Sequence, residues 1–189
     1  MEKTFITAGD LLRDSFLLAA QIYDAGFRPD FIIGVWRGGT PVGIAVQEYF
    51  EYRGASTDHI AVRTSSYTGI GEQASTVRVH GLHYIIEHAQ ASSALLLVDD
   101  VFDSGRSFKA LLDELRAELG PRLPREIKLA APWYKPSNRK VDLTPDFYLR
   151  ETAEWLVFPH ELSGLPRAEM LAGKSDLKGL EAIFPELPE

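Results

Sequence analysis

Short, fully apolar runs separated by amphipathic helical stretches predict an α/β fold built on a mainly parallel, twisted sheet flanked by helices. Phe31-Ile32-Ile33-Gly34-Val35 and Leu95-Leu96-Leu97-Val98 have the length and composition of strands buried on both faces. Phe108, Leu111, Leu112 and Leu115 return at helical spacing directly after the second run. Strands alternating with helices call for crossover connections, and so for parallel neighbours in one sheet. At 189 residues, 45% of them hydrophobic, the chain can bury one substantial core and is short for two. A single domain over residues 1–189 is expected.

The elements follow in order. Thr7-Ala8-Gly9-Asp10 predicts a helix N-cap, with a carboxylate three residues on as in a capping box. Leu11, Leu12, Phe16, Ala19, Ile22 and Tyr23 then mark a helix that stops at Gly26. The first buried strand breaks at Arg37-Gly38-Gly39. A second helix runs from about Pro41 to Gly54, with proline in its first turn. Residues 59–64 form the next expected strand. Residues 65–76, polar and glycine-containing without a period, are expected to form a mobile loop. The helix bearing Phe108 ends near Gly120 and Pro121, and strands are expected over 128–134 and 155–158. Beyond Pro159 the pattern is less regular and is expected to pack on the outside. There is no internal repeat.

Composition narrows the function. With no cysteine, disulfides, thiolate zinc sites and cysteine nucleophiles are excluded together, which agrees with a reducing cytoplasm. A net charge of −7 disfavours a nucleic-acid partner. No apolar run is long enough to span a bilayer, and Met1-Glu2-Lys3-Thr4 does not open a secretory signal, so neither a membrane nor export is expected. An acidic protein that binds an anion must supply local donors, in loops and at helix N-termini.

The segment Leu96-Leu97-Val98-Asp99-Asp100-Val101-Phe102-Asp103-Ser104-Gly105-Arg106-Ser107 has that design. A buried strand delivers two adjacent carboxylates at its C-terminal end, where ligands of open α/β sheets gather. A turn of small and hydroxyl residues then opens a helix, whose free N–H groups suit a phosphate. Carboxylates repel phosphate, so Asp99 and Asp100 point to sugar hydroxyls or magnesium. One segment therefore fits a whole sugar phosphate. Capping alone accounts for an aspartate such as Asp103, but not for a carboxylate pair on the strand.

This segment resembles the phosphoribosyl pyrophosphate (PRPP) motif of type I phosphoribosyltransferases. The resemblance implies that Asp99 and Asp100 take the ribose hydroxyls, directly or through Mg2+, and that Asp103, Ser104, Gly105, Arg106 and Ser107 hold the 5′-phosphate. Trp36-Arg37-Gly38-Gly39 is similar to the pyrophosphate loop of hypoxanthine and xanthine phosphoribosyltransferases, which implies a non-proline cis peptide at Trp36–Arg37. Ser66 and Tyr67 resemble the Ser-Tyr of the family's closing active-site loop. Lys135 and the stretch from Trp155 to Pro159 resemble the 6-oxopurine pocket: lysine on the 6-oxo group, Trp155 stacked on the ring, and the Leu156 backbone on the base edge. Physically, an ammonium selects an exocyclic oxygen over an amino group, and an indole stacks on any purine. A family carboxylate past the aromatic helps hold magnesium, and here the position is Glu161.

The resemblance spans most of residues 31–161. It implies a type I phosphoribosyltransferase fold with a core over about 28–135, a base-binding hood mainly over 133–162 and a tail over 163–189. The implied reaction is Mg2+-dependent transfer of phosphoribose from PRPP to a 6-oxopurine (hypoxanthine, guanine or xanthine), with Asp103 as general base, in a homodimer or homotetramer. A PRPP- or nucleotide-sensing regulator of the same fold is the rival reading. Among enzymes, adenine, orotate or uracil transferases are the alternatives, and Lys135 with Trp155 argues against them.

Other signals fail on context. Gly69-Ile70-Gly71-Glu72-Gln73-Ala74 spells a dinucleotide fingerprint, yet an alternating, strand-like stretch follows where a helix is needed. Gly173-Lys174-Ser175 could end a triphosphate loop, but Ala168 stands where the leading glycine belongs. The histidines at 59, 80, 83, 88 and 160 form no metal pair at helical i, i+4 spacing with a glutamate between them, and no nucleophile elbow is present.

Overall fold

The computed structural model describes residues 3–67 and 76–185. It falls into two compact units, one made of Met1–Arg13 with Glu154–Glu189 and one of Asp14–Ala153.

The unit of residues 14–153 carries the main sheet. Its strands are β2 (Phe31–Trp36), β3 (Asp58–Tyr67), β4 (Thr76–His80), β5 (Ala94–Val98) and β7 (Glu126–Ala130), in the order β4-β3-β2-β5-β7. All neighbours are parallel except β3 and β4. The expected parallel α/β sheet is present. The two unbroken apolar runs are its central strands, pairing Phe31 with Leu95 and Gly34 with Val98. Helix α2 (Gly39–Tyr52) follows β2 and ends two residues before the expected Gly54. Helix α3 (His83–His88), which the sequence did not announce, follows β4.

Helix α4 (Arg106–Leu119) buries Phe108, Leu111, Leu112 and Leu115, the face the sequence marked. They join Ile33, Val35, Val62, Leu95 and Leu97 in one core. Each fully buried side chain of this kind contributes roughly 1.5–3 kcal/mol. Helix α4 ends at Gly120, and a 3₁₀ turn over Gly120–Arg122 carries Pro121.

Two expectations are corrected in this unit. Residues 128–134 do not form one strand: the chain breaks at Ala131 and Pro132, and Trp133–Tyr134 forms a separate strand, β8. It sits between β6 (Val101–Phe102) and β9 (Arg150–Glu151) in a small parallel sheet. Proline cannot donate to a ladder, so the long strand ends where Pro132 stands. The loop expected over 65–76 is shorter, because β3 continues through Ser65, Ser66 and Tyr67, and β4 begins at Thr76. Cross-strand pairing, Ser65 with Arg78 and Ser66 with Val77, satisfies a backbone that local polarity had marked as loop. The centre of that loop, with the fingerprint-like Gly69 to Ala74, lies outside the described residues.

The other unit pairs β1 (Lys3–Phe5) with β10 (Trp155–Val157) in parallel, and adds helix α5 (Arg167–Gly173) and two 3₁₀ turns. Helix α1 (Ala8–Asp24) starts in this unit, with the Asp10 amide donating to Thr7 Oγ1 at 3.0 Å as the cap signal predicts. Its buried face differs from the expected one. Leu11, Asp14, Ser15, Leu18, Ala19 and Ile22 are buried, while Leu12 and Phe16 are exposed. Asp14 is buried because both its carboxylate oxygens take the Arg150 guanidinium, which also stacks over Trp133. Among the described residues no helix is long and apolar enough to cross a membrane.

Candidate active site

Strand β5 is buried along its whole length and ends in the carboxylate pair. Asp100 is buried and Asp99 partly so, with the Asp100 amide donating to Asp99 Oδ1 at 3.0 Å. Burial and the neighbouring Asp100 carboxylate hold the Asp99 carboxyl well above the usual aspartate range. An acidic pair with this electrostatic cost is suited to a cation or to hydroxyl donors.

Strand β2 delivers the second loop to the same place. The Trp36–Arg37 peptide is cis, as the resemblance implied. Gly38 and Gly39 are buried against β5: a Cβ on Gly38 would overlap the Asp100 carboxylate, and one on Gly39 would overlap the Val98 carbonyl oxygen. Close approach to backbone requires glycine at 39, whereas a side chain at 38 would have to displace the Asp100 carboxylate. Trp36 is 53% exposed, and Arg37 is exposed.

The turn after β6 runs through Asp103, Ser104 and Gly105 into α4. Gly105 has φ 76°, a left-handed value that packs it against Phe102 and Val141. The Arg106 amide approaches Ser104 Oγ at 3.4 Å, and the Lys109 amide donates to the Gly105 carbonyl at 3.0 Å. Helix α4 thus presents its first turn, with no side-chain cap, at a loop of hydroxyls. Two partners of this turn were not legible in the sequence. Thr64 on β3 donates to Ser107 Oγ at 3.4 Å, and the Lys140 amide donates to the Ser104 carbonyl at 3.0 Å.

Strand β8 leads to Lys135, whose amide donates to the Phe102 carbonyl at 2.9 Å. The side chain is buried, and its Nζ lies 3.4 Å from Asp103 Oδ2. The structure therefore brings Trp36 to Gly39, Asp99, Asp100, Asp103 to Ser107 and Lys135 together at the C-terminal ends of β2 and β5 and the short strands beside them. Ser66 and Tyr67 end β3.

Trp155, Leu156 and Glu161 belong to the unit that holds the chain termini. Trp155 is 54% exposed with Lys3 Nζ over its ring, and Leu156 is buried. Glu161 Oε2 accepts the Phe158 amide at 2.9 Å. Among the described residues no three His, Asp or Glu side chains converge as a ready-made metal site. Asp99 and Asp100 are the hard oxygen donors present at the sheet edge.

A mainly parallel sheet with a carboxylate pair and a hydroxyl-lined helix start at its C-terminal edge marks an open α/β protein with its candidate site where such sheets gather their ligands. The sequence matches the phosphoribosyl transferase domain over residues 9–164, and the chain belongs to that family of glycosyltransferases. Among solved structures it is similar to purine phosphoribosyltransferase from Pyrococcus horikoshii Ot3, at 26% identity and TM-score 0.65 over 87% of this chain and 97% of that one. It is also similar to xanthine-guanine-hypoxanthine phosphoribosyltransferase from Helicobacter pylori, at 19% identity and TM-score 0.65 over 96% and 99%. A hypothetical protein from Neisseria gonorrhoeae with bound ppGpp gives 22% identity and TM-score 0.71 over 92% and 98%. The latter two likenesses speak for the fold alone. No curated protein matches the sequence.

Proposed function

We propose that the chain transfers the 5-phosphoribosyl group of PRPP to a 6-oxopurine, hypoxanthine, guanine or xanthine, in purine salvage in the cytoplasm. The observation that carries this reading is the buried Lys135 ammonium beside Asp103, at the end of a turn shaped for phosphate. An ammonium there donates to an exocyclic oxygen and has nothing to offer an amino group, which favours 6-oxopurines over adenine.

The chain's own groups divide the work. The Ser104 and Ser107 hydroxyls and the first amides of α4 take the 5′-phosphate. Gly38, Gly39 and Arg37 take the pyrophosphate through backbone amides and one guanidinium. Asp103 accepts the proton that the purine imidazole ring gives up as N9 replaces pyrophosphate at the anomeric carbon. Trp155 and Leu156 take the stacking and base-edge roles that the family resemblance gives them. Magnesium fits the donor set, because it is commonly held by one or two carboxylates together with substrate oxygens, and the Asp99–Asp100 pair supplies these. When bound it would neutralise charge on the departing pyrophosphate. Glu161 is a further candidate ligand. As in the family, a homodimer or homotetramer is expected, which sizing in solution tests.

The experiment is product formation from PRPP and magnesium with hypoxanthine, guanine, xanthine, adenine, orotate and uracil in turn. Nucleoside monophosphate from one of the first three supports the proposal. Product only from the last three overturns the base assignment. Nucleotide binding with no transfer to any base would instead favour a sensing role.

A further inference from the structure

Lys174 is one of two buried lysines among the described residues, and the reaction described above gives it no task. Its Nζ donates to the Phe158 carbonyl at 2.6 Å and approaches the Pro159 carbonyl at 3.4 Å. Phe158 is tied from its other side as well: its amide donates to Glu161 Oε2, and its carbonyl accepts the Glu161 amide at 3.0 Å. The next carbonyl back, that of Val157, is taken by the Ile6 amide at 2.9 Å. So the carbonyls of residues 157, 158 and 159 are all engaged within this unit, two of them by one ammonium.

Phe5 and Val157 are register partners in the β1–β10 pair, and the Ile6 bond shows that Val157 turns its backbone groups toward β1. Backbone groups alternate sides along a strand, so Leu156 turns its N–H and C=O to the open edge of β10. A strand of three residues cannot hold that edge steady by itself. The tail supplies the hold. Helix α5 seats its end on β1, where a Cβ on Gly173 would overlap the Phe5 ring, and Lys174 follows at once. Burial pulls the Lys174 ammonium below the usual lysine range, opposed by nearby Glu161 and Asp176. A buried charge is retained only where it is well bonded, and here its bonds go to backbone.

We infer that Lys174 is a positioning residue: it clamps the backbone just past β10 so that Leu156 presents a fixed N–H and C=O edge to the purine. The inference rests on the base-reading role proposed for Leu156. The tail beyond residue 162 is then part of base recognition.

The test uses the full chain with Lys174→Met, which keeps the stem and removes the ammonium, and Lys174→Arg, which restores donors for two carbonyls. On ligand-free protein, hydrogen exchange at residues 155–161 should quicken at least tenfold in Lys174→Met, with residues 95–107 unchanged. In turnover, KM for the purine should rise about tenfold or more while KM for PRPP stays within twofold, and Lys174→Arg should recover most of the loss. Unchanged exchange at 155–161, or equal rises in both KM values, overturns the inference. If Lys174→Met does not fold, Lys174→Gln, which keeps one neutral donor, is read by the same split. Should wild type transfer to no base, the function proposed above fails, while the exchange result still decides the clamp.

Discussion

Lys135 Nζ stands 3.4 Å from Asp103 Oδ2, with the lysine buried and the aspartate about half exposed. Each residue directly follows a two-residue strand, Trp133–Tyr134 and Val101–Phe102, and those strands pair with each other. The group proposed to select the base and the group proposed to take its proton are therefore set in step by main-chain pairing.

Replacing Asp103 by Asn removes the proton acceptor and keeps the shape. Turnover should fall about 10²–10⁴-fold, with PRPP affinity held within a few-fold. Single-turnover kinetics beside PRPP titration measures both, and wild-type turnover would refute the role.

Lys135→Ala removes a charged donor worth roughly 1.5–3 kcal/mol to a buried acceptor. Purine affinity should drop about 10- to 100-fold, with a smaller loss for PRPP. Calorimetry with each ligand separates the two, and equal losses would make the lysine structural.

The raised Asp99 carboxyl makes a prediction in pH. In the unfolded chain this group ionises in the ordinary aspartate range, while in the folded protein it holds its proton to higher pH. As pH rises through that interval the unfolded state gains, so the ligand-free fold should lose stability from this group and carry the full penalty above it. Asp99→Asn should therefore melt higher than wild type at neutral pH, and the difference should vanish in acid. A variant no more stable at pH 7 than at pH 3, relative to wild type, would contradict this.

Asp100→Ala should abolish the thermal stabilisation given by magnesium and PRPP together, since ligand stabilisation scales with affinity. Melting curves with and without the pair measure it. An unchanged shift excludes Asp100 from the ligand.

The two adjacent glycines should differ. Gly39→Ala meets a backbone carbonyl that cannot yield, so overpacking should cost about 1–3 kcal/mol or more of stability. Gly38→Ala meets the Asp100 side chain, which can turn away, so ligand affinity should fall further than stability. Denaturant melts and PRPP titration on both variants compare the two effects.

What could be seen in the sequence was what local pattern controls. Helix α4 showed its buried face because apolar period and burial coincide there. The strand–turn–helix from Leu95 to Ser107 was plain for the same reason, as its elements are contiguous. Helix α1 misled, because its core face includes Asp14 and Ser15, and the partner that permits Asp14 to be buried, Arg150, lies far along the chain. Strands β1, β6, β8 and β9 have two or three residues each, too few to show a period. Lys174 stood inside a rejected phosphate-loop pattern, and only the folded chain reveals its carbonyl partners. Thr64 was likewise invisible, since its bond to Ser107 joins strand β3 to helix α4, far apart in the chain.

The cramped fit of Gly38 on Asp100 has a consequence for the history of the chain. The dependence runs one way: a side chain at 38 must displace the carboxylate at 100 or meet a shorter neighbour there, whereas a shorter residue at 100 leaves Gly38 undisturbed. A larger residue at 38 that leaves the acid in place is therefore expected only after a change at 100. The two positions, far apart in sequence, are coupled in the order in which they can change.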